Sequence, residues 1–568
     1  MKPVRTVLSL ALLAAAGPLT AAEWIGTREP IAGNAVYFVM TDRFVNGDKS
    51  NDQRDQGGKE LHTFDRPIAG APKGQSANIG YMGGDFKGLL DQADYIRDMG
   101  FGAVWLTPIV DNPNEAFTGS SPVQWKGFMQ DGGKTGFHGY WGVNFYRLDE
   151  HWPSKGLDFK GLTQGLKNKG LLTVLDIVGN HGSPSFSAPS DRDQFGKLYD
   201  KDGRLVANTQ NLEPAKLDPK GNPLHAFYHN TPDLVQLSNL DETNPAVVDY
   251  LVGAYLQWID QGAAAFRVDT IRHMPSSFWK TFADRIRAEH PGFFMFGEAF
   301  DYDAANIAPY TWDANGNYSL LDFPLKKAMD ETFAGKGAGF EHLLPALYLQ
   351  DGPYANPYDL MTFYDNHDMP RMNATDTGFI NANNWLFTAR GTPVIYYGSE
   401  MGFERGKAEH EGNRNYYGTA NIAKARQSPI YSNLRRIALV RKATPALQRG
   451  LQLNVTFKGD TAGFYRVLEA KGYPRQVALV ALNKGKQSGN VRIPGSRVEG
   501  GRYRSLISGK TITLRAGRTA NLPVAANGVD VWLKDGRVNN PVLRAELLRS
   551  TRNKGHQGTT PATTANNQ

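Results

Sequence analysis

The chain has 568 residues, of which 40% are hydrophobic and 21% charged, and it contains no cysteine. That length suits one large domain plus a smaller one, and the missing cysteines exclude thiol catalysis, thiolate metal sites and disulfides. The net charge of +7 collects at the ends, in Lys2 and Arg5 and in five basic residues against the single acid Glu546 from Arg537 onward, so the near-neutral body argues against a nucleic-acid surface and suits a neutral partner such as a sugar.

In chain order, the first segment (1–22) reads as a signal peptide. Lys2 and Arg5 precede a short apolar run, and Thr20-Ala21-Ala22 supplies small residues for cleavage near Ala22. The run is too short to span a bilayer. A secreted or periplasmic protein with no membrane association after cleavage is expected. Short apolar or β-branched runs then predict strands at 35–41, 103–107, 172–177, 264–268, 293–297, 319–323, 361–364 and 393–397. Amphipathic stretches at 86–99, 158–169, 246–261 and 276–288 predict helices between several of them. Alternating strands and helices imply an α/β fold with parallel strands. Eight strands over roughly 370 residues point to a (β/α)8 TIM barrel, here spanning 23–445. An open doubly wound sheet is the alternative, but the glycine fingerprint that normally accompanies it is missing. The long polar stretch at about 182–236 follows the third strand and reads as an inserted subdomain beside the active-site mouth. Residues 446–537 change to alternating strands and tight turns, as in an antiparallel β domain. The polar tail 538–568 is expected to be disordered.

Residues at the C-terminal ends of barrel strands line the active site of such a fold. Polar groups collect there: Asp176, Asn180 and His181 after the third strand, Arg267, Asp269, Arg272 and His273 after the fourth, Glu298 after the fifth, and Asp365, His367 and Asp368 after the seventh. Arg267 and Asp269 are two apart on a strand and share a face, so the guanidinium can keep the carboxylate ionised, as a nucleophile needs. Glu298 follows Phe293-Phe-Met-Phe-Gly297, and apolar surroundings raise a carboxyl pKa in the way a general acid requires. Two carboxyls about 5–5.5 Å apart characterise retaining glycosidases. Any one of these acids alone reads better as a helix cap or surface ion pair; four acidic strand ends with two histidines and an arginine do not.

These segments resemble the α-amylase family of glycoside hydrolases. Asp176 to His181 is similar to its first signature, Phe266-Arg-Val-Asp-Thr-Ile-Arg-His273 to its second, Phe296-Gly-Glu298 to its third and Phe363-Tyr-Asp-Asn-His-Asp368 to its fourth. The segment from Gly391 to Glu400 resembles the eighth-strand region. The resemblance implies Asp269 as nucleophile, Glu298 as acid/base and Asp368 as the group that holds sugar hydroxyls and distorts the ring. It implies sugar binding by His138, Tyr140, Trp141, His181, Arg267, Arg272, His273 and His367, and a structural role for Asp176.

Calcium is the expected cofactor. Asn46, Asp48, Asn51 and Asp52 pack four oxygen-bearing side chains into one short loop, a density that suits a hard cation. By composition the loop reads equally as a solvated Asx-rich turn. It also resembles the calcium loop of cyclodextrin glycosyltransferases and neopullulanases, with Gly83 and Asp85 matching the distant ligands. For a second calcium, the resemblance implies Asn180, His273 and, at the acidic position, Asn239, whose lost charge weakens the site. Val235 stands where cyclodextrin glycosyltransferases carry a large aromatic, and those enzymes continue into further β domains. Both departures favour hydrolysis. The expected function is therefore endo-hydrolysis of α-1,4-glucosidic bonds in starch-like glucan or maltooligosaccharides by a monomer. A cyclomaltodextrinase, neopullulanase or glucanotransferase is the nearest alternative, and a non-catalytic glycan-binding barrel the alternative of another class.

Overall fold

The computed structural model describes residues 23–52, 68–73, 75–127, 130–186, 194–234, 236–335, 337–349 and 352–552. The expected signal segment, residues 553–568 of the tail and Val235 lie outside them.

All eight expected barrel strands form: β1 (Val36–Val39), β2 (Ala103–Leu106), β3 (Leu172–Ile177), β4 (Ala263–Val268), β5 (Phe294–Gly297), β6 (Ser319–Leu320), β7 (Met361–Thr362) and β8 (Thr392–Tyr396). They pair in parallel in the order β6-β5-β4-β3-β2-β1-β8-β7, and a parallel bridge from Leu321 to Met361 joins the two ends. The result is the closed (β/α)8 barrel. Its strands are buried along nearly their whole length, so they read as short continuous apolar runs rather than as alternation.

Aromatic rings fill the barrel beneath its mouth. Phe38 of β1 stacks on Trp105 of β2 with centroids 3.8 Å apart, Trp105 meets Phe296 of β5 edge-on at 5.5 Å, and Tyr396 of β8 lies 5.0 Å from Phe38. This floor is aromatic and buried, which matters for every carboxyl above it.

After β3 the chain leaves the barrel through a strand at His181–Pro184 and returns through one at Leu237–Asn239, which pair antiparallel and enclose the inserted subdomain. The C-terminal domain has strands β9 (Leu451–Lys458), β10 (Thr461–Leu468), β11 (Gln476–Asn483), β12 (Gly489–Ile493), β13 (Gly501–Ser505), β14 (Thr511–Leu514), β15 (Ala520–Val524) and β16 (Gly528–Asp535). Six form a sheet in the order β9-β10-β11-β16-β13-β14, and β12 pairs with β15. Trp24 bridges to Glu469 through two backbone hydrogen bonds of 2.8 and 2.9 Å, so the start of the described chain is part of this second core.

The expectation of a disordered tail from Val538 is corrected. Pro541–Arg552 is a helix. Val538, Leu543 and Leu547 are fully buried in the C-terminal core, the last two on one helix face at the i, i+4 spacing. Arg544 lies over the Trp24 ring at 4.8 Å, and Glu546 pairs with Arg497. Burying a leucine side chain contributes about 1.5–3 kcal/mol, enough to hold a short helix that its polar composition would not.

Candidate active site

The pairing register brings the acids to one level. Arg267 sits beside Asp176 on β3 and beside Phe296 on β5. Its guanidinium is fully buried and forks to three carboxylates: Nη1 donates to Asp176 Oδ1 at 2.7 Å and Asp269 Oδ1 at 2.8 Å, and Nη2 to Glu298 Oε2 at 2.5 Å. A planar, permanently charged fork suits this task in a way lysine does not. Asp269 and Glu298, joined through one guanidinium, each keep about a tenth of the side chain exposed to the mouth.

The backbone carries strain at this point. Thr270 directly after Asp269 adopts φ +48°, a left-handed conformation disfavoured for a β-branched residue and characteristic of over-determined sites. At Gly297 before Glu298 a Cβ would lie 2.6 Å from Ile271 Cδ1, so the Ile271 side chain packs into the space that glycine leaves.

Glu298 has its pKa raised to about 8, first by burial and then by Asp368, Asp269 and Asp176, against the pull of Arg267. Asp176 is raised to about 7, again mainly by burial. It is fully enclosed, accepting from Trp105 Nε1 at 3.0 Å and Tyr140 Oη at 2.9 Å as well as from Arg267. It cannot reach a ligand, in keeping with a structural role. Tyr140 Oη also lies 2.8 Å from His367 Nε2, and the two rings stack at 5.5 Å. His367 Nε2 is 3.2 Å from Asp368 Oδ2. Burial, with Arg414 and Arg267 nearby, pushes His367 well below its usual pKa. His138 is depressed by burial, Lys134 and Arg414, and His181 by burial. Burial thus disfavours the charged form of all three imidazoles, which can hydrogen-bond without charge.

Other expected residues have different surroundings. Trp141 is buried with Phe117 and Phe195 in a small separate core and meets His138 edge-on at 4.7 Å, so it supports a neighbour and offers no open ring face. Arg272 donates to the Phe300 carbonyl at 2.7 Å and lies 3.3 Å from Asp301, bracing the loop after Glu298. His273 Nδ1 lies 3.1 Å from Asp233 Oδ1.

The first calcium loop folds as a unit. Asp85 takes the amides of Gly47, Asp48 and Gly88, and Asn46 Nδ2 donates to Asp52 Oδ1 at 2.8 Å. Asn51 Nδ2 donates to the Pro153 carbonyl at 2.9 Å, and Asp48 accepts from Ser50. The side-chain oxygens of Asn46 and Asn51 are buried with no hydrogen-bond partner among the described residues. Gly83 passes so close that a Cβ would lie 2.7 Å from Asp52 Oδ1. Buried orphan oxygens in an all-oxygen set fit a calcium ion.

At the second location the acid differs from expectation. The carboxamide of Asn239 reaches Thr231 O at 3.4 Å, while its backbone pairs with His181. The acid that meets Asn180 and His273 is Asp233, whose Oδ2 accepts from Asn180 Nδ2 at 2.7 Å. Asn180 Oδ1 is buried without a partner among the described residues. The charge absent at Asn239 is supplied six residues earlier, and this donor set too fits a hard cation.

Sequence reasoning missed Asp233 and Arg414, which lie in irregular segments without periodicity. It also missed Phe300 and Tyr302, exposed at 48% and 41% and in edge contact at 5.7 Å. Their position two and four residues beyond Glu298 is a signal the sequence did contain.

The sequence profile described as Alpha amylase, catalytic domain, matches residues 38–433. A cyclomaltodextrin glucanotransferase of Klebsiella oxytoca is 27% identical over 575 residues, covering 92% of this chain and 80% of that protein. Among solved structures, CldA, described as the first cyclomaltodextrin glucanotransferase with a three-domain ABC distribution, is similar at 30% identity and TM-score 0.72, covering 89% of this chain and 99% of that one. The α-amylase of Geobacillus thermoleovorans, solved with acarbose, is similar at 25% identity and TM-score 0.66, covering 90% and 100%. With the profile match over residues 38–433 and the similarity of the whole fold to these enzymes, this chain is an enzyme of the glycoside hydrolase and transferase type and belongs to the α-amylase family.

Proposed function

We propose that the protein cleaves α-1,4-glucosidic bonds of starch-like glucans or maltooligosaccharides with retention, transferring the glycosyl unit to water. The observation that carries this reading is the single buried guanidinium of Arg267 forked between Asp269 and Glu298. A shared guanidinium makes the two carboxyls near neighbours, which supports the short separation of a retaining pair over the wider one of an inverting pair. Asp269 attacks the anomeric carbon. Glu298, kept protonated by its burial, gives its proton to the leaving oxygen and then takes one from the incoming acceptor. Asp368, His138, His181, His367 and Tyr140 hold the hydroxyls of the cleaved sugar.

A second reading is glucosyl transfer, with a sugar hydroxyl in place of water. Phe300 and Tyr302 favour it, because exposed rings beyond the acid can stack an acceptor sugar. The number of domains does not separate the readings: CldA, described as a glucanotransferase, also has a three-domain distribution and is matched over 99% of its length. The test is digestion of soluble starch with product anomers followed by NMR and products resolved by chromatography. Linear α-anomeric oligosaccharides support hydrolysis; cyclodextrins or elongated acceptors support transfer; β-anomers refute retention.

Calcium serves the scaffold in this reading. Asn46, Asn51, Asp52 and Gly83 would hold one ion and Asn180, Asp233 and the His273 carbonyl another, each clamping a loop beside the mouth. Calcium at a hundred times its dissociation constant would stabilise the fold by about 2.7 kcal/mol, so excess chelator is expected to lower the melting temperature by several degrees. Asn51→Ala should remove part of that calcium-dependent shift and Asp233→Asn another part; a melting temperature indifferent to chelator sinks both sites. No helix among the described residues is long and apolar enough to cross a membrane, and a secreted or periplasmic monomer remains the proposal.

A further inference from the structure

Asp368 does not stand alone at the mouth. Arg414, in the segment after β8, donates from Nη2 to Asp368 Oδ1 at 2.8 Å and from Nε to the His367 carbonyl at 3.0 Å. Its other nitrogen lies 2.7 Å from Glu409, Glu409 accepts from Lys134 at 3.2 Å, and Lys134 from the loop after β2 also reaches Asp131 at 2.9 Å. Signs alternate along this chain from the active site to the rim. Arg414 and Lys134 are each 6% exposed, so solvent screens these pairs weakly. The segment is pinned where it must act: Asn413 donates to the Asn366 carbonyl at 2.9 Å, and Arg371 donates twice to the Asn413 carbonyl. An unbalanced buried arginine would be costly, and Glu409 offsets it.

We propose that Arg414 is a positioning residue for Asp368, fixing the carboxylate that grips the cleaved sugar, and that Glu409 and Lys134 set how strongly it acts. The inference rests on the retaining-glycosidase reading above. Asp368 is faced by Arg414 and Glu409 from the segment after β8, Arg267 from β4, Glu298 from β5, Tyr140 from the loop after β2 and its neighbour His367. Burial raises its pKa; Arg414 is the largest opposing influence, followed by Arg267, and Glu409 works against them.

Those signs make the test directional. In pH profiles of kcat/KM on maltoheptaose, Arg414→Gln should move the acidic limb up by about one pH unit or more, the scale on which an adjacent opposite charge acts. Its kcat should fall by about 10- to 100-fold, as when the support of a functional side chain is lost. Glu409→Gln should move the same limb down, because Arg414 then acts unopposed. Arg414→Lys keeps a charge and should restore most of the limb while recovering kcat incompletely, since the fork is lost. A merely structural contact would lower activity without opposite shifts. Turnover by the wild type with unmoved limbs, or limbs moved the same way in both neutral variants, overturns this inference alone. An inactive wild type overturns it together with the functional reading.

Discussion

Replacing Asp269 with Asn is expected to abolish turnover while leaving the protein folded. The substitution keeps the size of the side chain, and Arg267 keeps two of its three hydrogen-bond acceptors in Asp176 and Glu298, so the guanidinium stays held in place. The melting temperature should therefore change little beside the loss of activity. What disappears, in the proposed mechanism, is the nucleophile that attacks the anomeric carbon. The expected loss in kcat is about 10⁴-fold or more, the scale on which removing a nucleophile acts. A better leaving group should not rescue it. On an α-maltosyl fluoride, whose departure needs no proton, Asp269→Asn should remain inactive, because the missing step is bond formation. Turnover of the fluoride by this variant at near wild-type rate would show that another residue is the nucleophile.

The sequence carried much of this site, for identifiable physical reasons. Barrel strands are buried on both faces, so short runs such as Ala103–Leu106 stand out, and strand ends in a barrel converge whatever lies between them. That is why Asp176, Arg267, Asp269, Glu298 and His367 meet as expected. Irregular segments have no such rule. Asp233 and Arg414 reach their partners through loops whose course is set by tertiary contacts, and the position aligned with an acid, Asn239, did not locate the acid. Trp141 could not be placed from its neighbours, because whether a ring faces a ligand or a core depends on Phe117 and Phe195, both distant in sequence. The C-terminal helix was hidden for a different reason. Its apolar residues are few, and only the face formed by Leu543 and Leu547 against the β domain makes it stable. Gly501–Ser505 and Ala520–Val524 each bury only alternate residues, and charged or proline residues between them mask the pattern.

Glu298→Gln should fail differently from Asp269→Asn, and the difference assigns the two roles. On starch the loss of the proton donor should lower kcat by about 10²- to 10⁴-fold. On the fluoride, the first step needs no acid and should survive. The second step needs a base to activate water, which glutamine cannot supply, so the glycosyl-enzyme should accumulate on Asp269 and appear as an added mass on the intact protein. Equal loss on both substrates with no added mass would contradict the acid/base assignment. The pH dependence of stability gives a check independent of substrate. Glu298 is raised from the usual 4.5 to about 8, chiefly by burial. Between those values the folded protein holds a proton that the unfolded chain has released, so this group makes stability fall as pH rises through that window. Glutamine cannot titrate, which removes that slope. The melting temperature of Glu298→Gln relative to wild type should therefore climb as the pH is taken from 5 to 8. A difference that stays flat would mean that the carboxyl of Glu298 is already ionised in the folded protein at pH 5, and the proton for the leaving oxygen would have to come from elsewhere.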